Sequence, residues 1–392
     1  MTDDWQRPAW AEVDLDVIEH NARLLGSIAA PAALCAVVKA DAYGHGAVQV
    51  ASAALAGGAT SLAVALVEEG VVLREAGIPA PILLLSEPAG EAMGEVVARE
   101  LIPTIYTQAG LKAIRRAAGA ASRRVDVEVK VDTGMHRVGA DLTEARSIVE
   151  QVVEAPELRY AGLWTHLAVA DDPADPFTAV QLERFERFRS ILAAAGVPAP
   201  ARLHAANSAG AIAHRSSRYD LVRCGISLYG YAPSAAVDAA LLEATGGRAL
   251  QPALTWRSQV SLVRELAVGE RTSYGRRYSL PERADIATVP VGYGDGVPRA
   301  LFEAGGELLV GGRRRPVAGV VTMDQLLVDC GPDSGVRPGD EVVLIGAQGA
   351  ETVTAQEWAD RLGTISYEIL CRIGPRLPRR PFRSPPAGAP PA

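Results

Sequence analysis

Ala33-Leu-Cys-Ala-Val-Val-Lys-Ala-Asp-Ala-Tyr-Gly-His-Gly46 sets an unbroken apolar run against a glycine-rich polar turn, with Lys39 at the junction. Residues 33 to 38 read as a short strand buried on both faces, the pattern of a strand inside a parallel sheet. Lysine is rarely fully buried without a partner. One held in an apolar neck is easily desolvated; its pKa falls and its amine is free to form a Schiff base with an aldehyde. A lysine that snorkels from a strand end satisfies the same window, so the rest of the chain must decide.

Outward from this stretch, short apolar runs alternate with helical periodicity from residue 33 to about 224, the mark of repeated β/α units. The candidate strands are Leu34 to Val38, Ser61 to Ala65, Ile82 to Leu85, Thr104 to Tyr106, Val125 to Val131, Tyr160 to Trp164, Arg202 to His204 and Leu221 to Arg223. Segments such as Phe177 to Ala195 carry apolar residues at helical spacing with charges outward. Eight units predict a (β/α)8 TIM-type barrel over residues 12–245. Such barrels place chemistry at the carboxyl ends of their strands, where Lys39, Arg137, His166, Ser208 and Arg223 all fall.

From about residue 246 the pattern changes to strand-like pieces punctuated by Gly and Pro: Ala253 to Leu262, Ala284 to Val291, Gly306 to Val310, Arg315 to Val321, Gln325 to Asp329 and Glu341 to Ile345. This predicts a separate, mostly β domain over 246–380, joined by residues 1–11. Residues 381–392 are rich in proline and poor in large apolar groups, and are expected to form a disordered tail.

The 392 residues are 48% hydrophobic and 22% charged, which fits a folded chain with a large core. A net charge of −7 argues against nucleic acid as the main partner. The basic runs Arg313 to Arg315 and Arg376 to Arg380 are expected to be solvated loop and tail charges. Cys35, Cys224, Cys330 and Cys371 are widely spaced, with neither metal-site spacing nor a disulfide framework, and fit a reducing cytoplasm. No signal peptide or membrane span is evident, so a cytoplasmic location is expected.

The Lys39 block has companions: Lys130-Val-Asp-Thr-Gly-Met-His-Arg-Val-Gly139, His204-Ala-Ala-Asn-Ser-Ala-Gly210, Val222-Arg-Cys-Gly-Ile-Ser-Leu-Tyr-Gly230, Ser273-Tyr-Gly275, Gly292-Tyr-Gly-Asp-Gly296, Thr322-Met-Asp-Gln325 and Ile365-Ser-Tyr-Glu368. In this order, over nearly the whole chain, the set resembles the alanine racemase family. The resemblance implies pyridoxal 5'-phosphate as cofactor, interconversion of L- and D-alanine, and a product that feeds cell-wall peptidoglycan. It also implies a homodimer with shared active sites. Lys39 would carry the cofactor and act as one base, and the partner subunit's Tyr274 would be the second.

By the same resemblance Tyr43, Ser208, the backbone of Gly225 and Ile226, and Tyr367 hold the cofactor's phosphate. Arg223 faces its ring nitrogen, and His166 joins Arg223 in a network serving the tyrosine base. Arg137 orients the substrate carboxylate with Met323 and Asp324, and Tyr293 narrows the entrance together with Tyr367. Lys130 matches a position that is carbamylated in some members.

The residues themselves leave blander readings open. Ser208 could be an ordinary helix cap, Arg223 a strand-end partner of Asp220, and His166 a histidine bonded to backbone. The glycine-rich Gly292 block lacks the Lys-Ser/Thr of a phosphate loop. The chain departs from the family at Gly319-Val-Val-Thr322 and at Cys224. The alternatives are a serine or broad-specificity racemase, and, further off, a basic-amino-acid decarboxylase of the same fold or a non-catalytic cofactor carrier. A carrier has no use for a second base.

Overall fold

The eight apolar runs fold as eight parallel strands. A computed structural model describes residues 7–383. After β1 (Ala9–Asp14) come β2 (Ala33–Val37), β3 (Ser61–Val64), β4 (Ile82–Leu84), β5 (Ile102–Ile105), β6 (Val125–Lys130), β7 (Leu158–Trp164), β8 (Arg202–His204) and β9 (Leu221–Cys224). Strands β2 to β9 form one sheet in the order β8-β7-β6-β5-β4-β3-β2-β9. Backbone bonds from the Asp220 amide to Leu203 O (3.0 Å) and from the Arg223 amide to Ala206 O (3.0 Å) link its two ends into a barrel. The strands are short and buried because helices such as Phe177–Ala194 cover their outer faces, turning Leu182, Phe185 and Phe188 inward. The expected strand at Thr104 to Tyr106 begins two residues earlier, at Ile102.

Within the barrel, alternation along β6 puts Glu128 and Lys130 on one face, and along β7 Gly162 and Trp164. The ladder between these strands shifts register between Val127 and Glu128. Such a bulge re-aims the side chains that follow it.

The β part contains β10 (Leu254–Gln259), β11 (Leu262–Leu266), β12 (Arg271–Thr272), β13 (Tyr278–Ser279), β14 (Ala284–Val289), β15 (Glu307–Val310), β16 (Arg313–Pro316), β17 (Leu326–Asp329), β18 (Glu341–Gln348), β19 (Glu351–Val353) and β20 (Arg379–Phe382). Its largest sheet has the order β16-β15-β18-β10-β1-β20, with β19 on β18; β11-β14-β17 and β12-β13 form two smaller ones. Trp256 and Trp358, both fully buried, pack at 6.2 Å in its core. The run expected as a single strand from Ala253 to Leu262 is divided between β10 and β11, which join different sheets.

Contacts divide the described chain into two compact units: residues 16–42 and 47–251, and residues up to Leu15, Tyr43–Gly46 and 252 onward. Strand β1 buries Ala9, Ala11 and Val13 alternately and pairs with β10 in the second unit.

Two expectations about basic segments are corrected. Residues 381–392 were expected to be tail, yet Pro381 and Phe382 lie in β20, parallel to β1; residues 384–392 fall outside the described ones. Proline is tolerated there because β20 is an edge strand. Arg379 anchors it by donating to the carbonyls of Gly44 (2.8 Å), Ile373 (2.5 Å), Gly374 (2.5 Å) and Leu377 (2.6 Å). Arg313 to Arg315, expected in a loop, form edge strand β16, where Arg314 pairs with Glu307, Glu351 and Glu357. Charged edges resist pairing with other chains. Among the described residues no helix is long and apolar enough to cross a membrane, and all four cysteines are free thiols.

Candidate active site

Lys39 leaves β2 into a turn of the opposite hand. Ala40, Asp41, Ala42 and Tyr43 take φ values of 51°, 50°, 54° and 54°, followed by Gly44 at 80°. Left-handed geometry costs an L-residue about 1–2 kcal/mol, so the surroundings must impose it. The Ala42 amide returns to Val38 O (2.9 Å), Glu69 accepts the Ala40 amide (2.5 Å), and Asp41 accepts that of Ala47 (2.8 Å). Glu69 also takes the amides of Ala65 (2.8 Å) and Leu66 (3.1 Å), tying the turns after β2 and β3 together. Backbone strain over-determined in this way is typical of functional sites. Lys39 is half-buried.

The turn after β6 carries Arg137. Asp132 gathers the amides of Gly134, Met135 and His136 on one carboxylate. Backbone bonds between Asp132 and Ala140 (2.9 Å) and between Ala140 and Lys130 (3.0 Å) close the loop. Gly139, at φ 128°, is required, since a Cβ there would stand 3.0 Å from the Asp132 nitrogen. Thr133 in this loop bonds Thr165 of the next (2.8 Å), and Gln181 donates to Thr133 and to the His166 carbonyl. One helix thus braces the loops that carry Arg137 and His166.

Arg223 is buried at the end of β9. It donates from Nη1 to His204 Nδ1 (2.7 Å) and from Nη2 to the carbonyls of Thr165 and Ala205 (both 3.0 Å), with a longer contact to His166 Nδ1 (3.3 Å). Asp220, its alternative partner from sequence, instead accepts the Leu203 amide. The guanidinium stands 4.6 Å over the Trp164 ring, and the Lys130 amine 4.4 Å. Burial pushes Arg223 down to about 10, still protonated at neutral pH. Burial and then the charges of Arg223 and Arg137 push the Lys130 amine down to about 7. The same burial, with Arg223, Lys130, Arg137 and Lys39 around it, holds His166 neutral. Arg223, Lys130, Arg137 and Lys39 therefore all act electrostatically on His166 at the strand ends, a set of basic groups suited to an anionic ligand.

Ser208 Oγ accepts the amide of Gly225 (2.9 Å) and, more weakly, that of Ser227 (3.5 Å). The cap of its helix is Asn207, not Ser208. Backbone amides thus converge on an oxygen here, the chemistry a phosphate oxygen also offers, and Ile226 starts the short helix beside it. Serine hydroxyl, converging amides, a lysine amine and a fixed guanidinium fit pyridoxal phosphate.

The remaining expected residues lie in the second unit. Tyr43 faces Tyr367, ring centroids 6.1 Å apart. Tyr293 and Met323 sit on two interlocked turns: the Tyr293 amide donates to Thr322 O and that of Gly294 to Met323 O, both at 2.9 Å. Gly292 permits this approach, because a Cβ would come within 2.2 Å of Thr322 O. Thr322, a departure from the family pattern, closes the Met323-Asp324 turn by donating to Gln325 O (2.7 Å). Fully buried Asp295 clamps the other turn, taking two bonds from Arg7 (2.8 and 2.6 Å) and the Gly292 amide (3.0 Å). Arg376 bonds Asp324 (2.7 Å). Tyr274 is 73% exposed; Ser273 at its flank donates to Val320 O (2.6 Å), an approach that Gly319 allows.

Sequence reasoning assigned no role to Trp164, Thr165, His204 or Glu128. A signal existed for Glu128: it stands two residues before Lys130 on one strand, and so on the same face.

A family model described as "Alanine racemase, N-terminal domain" matches residues 13–233, and one described as "Alanine racemase, C-terminal domain" residues 253–381. An alanine racemase of Symbiobacterium thermophilum is 46% identical over 376 residues, covering 96% of this chain and 97% of that protein. One from Carboxydothermus hydrogenoformans is 42% identical, covering 95% and 99%. Among solved structures, the alanine racemase of Streptomyces lavendulae superposes with a TM-score of 0.89 at 36% identity, covering 97% of this chain and 98% of that one. That of Bacillus anthracis with bound L-Ala-P gives 0.89 at 35%, covering 97% and 96%.

Proposed function

The chain belongs to the alanine racemase family, and from that premise we propose that it interconverts L- and D-alanine by a two-base mechanism with pyridoxal 5'-phosphate. The bound cofactor's conjugated ring takes up the electron pair left when Cα loses its proton. The chain's own residues do the rest. Lys39 would hold the cofactor and exchange a proton at one face of Cα, and the partner subunit's Tyr274 at the other. The planar fork of Arg137 suits the substrate carboxylate, with the Met323 and Asp324 turn beside it. Tyr293 and Tyr367 would narrow the entrance.

Ser208 and the amides of Gly225 and Ile226 would hold the phosphate, joined by Tyr43 and Tyr367. Arg223, a cation fixed by three acceptors, has no proton to yield at neutral pH, and so would leave the ring nitrogen of a bound cofactor unprotonated. Such a cation would temper the ring as an electron sink and disfavour side reactions. The observation that carries this reading is the gathering of Lys39, Lys130, Arg137 and Arg223 around a neutral His166 at the carboxyl ends of the strands.

A homodimer with shared sites fits the exposure of Tyr274, Tyr293, Met323 and Ile365, large groups a partner could cover. D-alanine made in the cytoplasm would supply peptidoglycan. The Lys130 amine, lowered to about 7, is partly neutral at neutral pH, and the neutral amine would add CO2; the N–C bond would form as a proton leaves, and the resulting carbamate would set an anion beside Arg137. Carbon-13 NMR with labelled bicarbonate tests this, and a bare amine at saturating bicarbonate contradicts it.

The roles of the two bases separate in two variants. Tyr274→Phe is expected to keep the cofactor's absorbance and lose racemisation, whereas Lys39→Ala loses covalent attachment. Equal loss of cofactor from both would overturn the assignment.

A further inference from the structure

Behind Arg223 lies a buried chain of groups that the proposed chemistry does not use. His204 and Glu128 are inside the barrel, 0% and 1% exposed, with His204 Nε2 2.9 Å from Glu128 Oε2. Arginine has no acceptor, so in its 2.7 Å contact with Arg223 the His204 Nδ1 must receive the hydrogen bond. The proton of the neutral ring is therefore on Nε2, and it is donated to Glu128. Burial and the Arg223 charge keep His204 below its ordinary value, consistent with that neutral form. The Trp164 ring stacks on His204 at 5.5 Å and 13°, preventing it from turning over.

The barrel is built to admit this carboxylate. The register shift between Val127 and Glu128 falls where the side chain is aimed inward. Gly162, directly opposite on β7, leaves the room: a Cβ there would come within 2.6 Å of the Glu128 carboxyl carbon. An unpaired carboxylate in such a place would be strongly disfavoured. Here the three groups sum to zero charge, cation to neutral imidazole to anion.

We propose that Glu128 is a positioning residue of the active site, whose carboxylate fixes His204 in one tautomer and, through it, fixes the guanidinium of Arg223 and offsets its charge. The inference rests on the reading of Arg223 as the group beside the cofactor's ring nitrogen. Remove the carboxylate, and His204 loses the acceptor that selects its tautomer. Arg223 then loses its shortest hydrogen bond, and the cation beside the cofactor is neither held nor balanced.

The test uses the full-length holoenzyme with nitrogen-15 histidine and two variants. Glu128→Gln keeps an acceptor and removes the charge; Glu128→Leu removes both. In the parent, His204 is expected to give the neutral Nε2–H nitrogen pattern, unchanged from about pH 6 to 8. The Gln variant should keep that pattern, whereas the Leu variant should lose it, with a cofactor absorption band that now moves with pH. With alanine, kcat should fall about 10–100-fold in the Leu variant, as for other groups that orient a reacting shell, with KM little changed and the Gln variant between. If the Leu chain does not fold, Gly162→Ala displaces the carboxylate instead and should give the same signals.

An Nδ1–H ring in the parent, or parent-like His204 signals or kcat in the Leu variant, would overturn the proposal. If the parent itself fails to racemise alanine, the functional reading fails, while the nitrogen pattern still decides the relay.

Discussion

Lys130 offers the most quantitative test of the site's electrostatics. Its amine is lowered from 10.5 to about 7, first by burial and then by the charges of Arg223 and Arg137. At ~1.36 kcal/mol per unit, that is roughly 5 kcal/mol against the charged form in the folded protein. Because the folded-state value lies below the unfolded one, the penalty is complete below about pH 7 and fades as pH rises towards the unfolded value. Between about pH 6 and about pH 8.5 the relief amounts to about 2 kcal/mol. Lys130→Met keeps the length of the side chain and its contact with Trp164 but has nothing to titrate. In urea denaturation at fixed protein concentration in CO2-free buffer, the variant's stability advantage should shrink by about 2 kcal/mol from the lower to the higher pH. An advantage that is independent of pH, or that grows with pH, would refute the reasoning.

Other perturbations follow from single observations. Ala40→Gly removes a Cβ from a left-handed residue at φ 51° without touching its amide bond to Glu69, and should stabilise the barrel by about 1 kcal/mol in thermal denaturation. His204 is held neutral in the fold, so its contribution to stability is complete above the unfolded imidazole value, about 6.5, and is lost as pH falls below it. Parent and His204→Gln should therefore converge in denaturation midpoint as the pH is lowered from about 7 to about 5. Gly292→Ala would push a Cβ to within 2.2 Å of Thr322 O, so the Met323-Asp324 turn must move. We expect it to destabilise the β unit by about 1–3 kcal/mol and to raise KM for alanine while cofactor absorbance persists.

The barrel was legible because burial on both faces writes each strand as a short apolar run, and helices at regular intervals separate them. The β unit was less so. Its strand β1 lies far from its neighbours in sequence, and its alternation, Ala9, Ala11 and Val13 inward, is too short to stand out. Strand β20 was hidden by composition: a proline and two arginines among four residues suggest a tail, and Arg379, bonded to four carbonyls, explains why it packs.

Motif blocks pointed to Lys39, Arg137, His166 and Arg223, and the fold brings the three basic groups within electrostatic reach of His166. The layer beneath them escaped. Glu128 carries no motif, and its importance depends on a bulge and on a glycine 34 positions later, neither of which a single strand's pattern reveals. The strained turn after Lys39 was equally invisible, since alanine, aspartate and tyrosine at four successive left-handed positions contradict local preference and are imposed by partners such as Glu69.

A racemase with bases on both faces of Cα must exchange its substrate's α-proton and invert the centre. That requirement is tested most directly by incubating the holoenzyme with L-alanine in deuterated water, following Cα deuteration by proton NMR and chirality in parallel. The holoenzyme should yield D-alanine that carries deuterium at Cα, and Tyr274→Phe should abolish inversion. Bound cofactor with no exchange at Cα, or exchange that never inverts, would contradict the two-base reading.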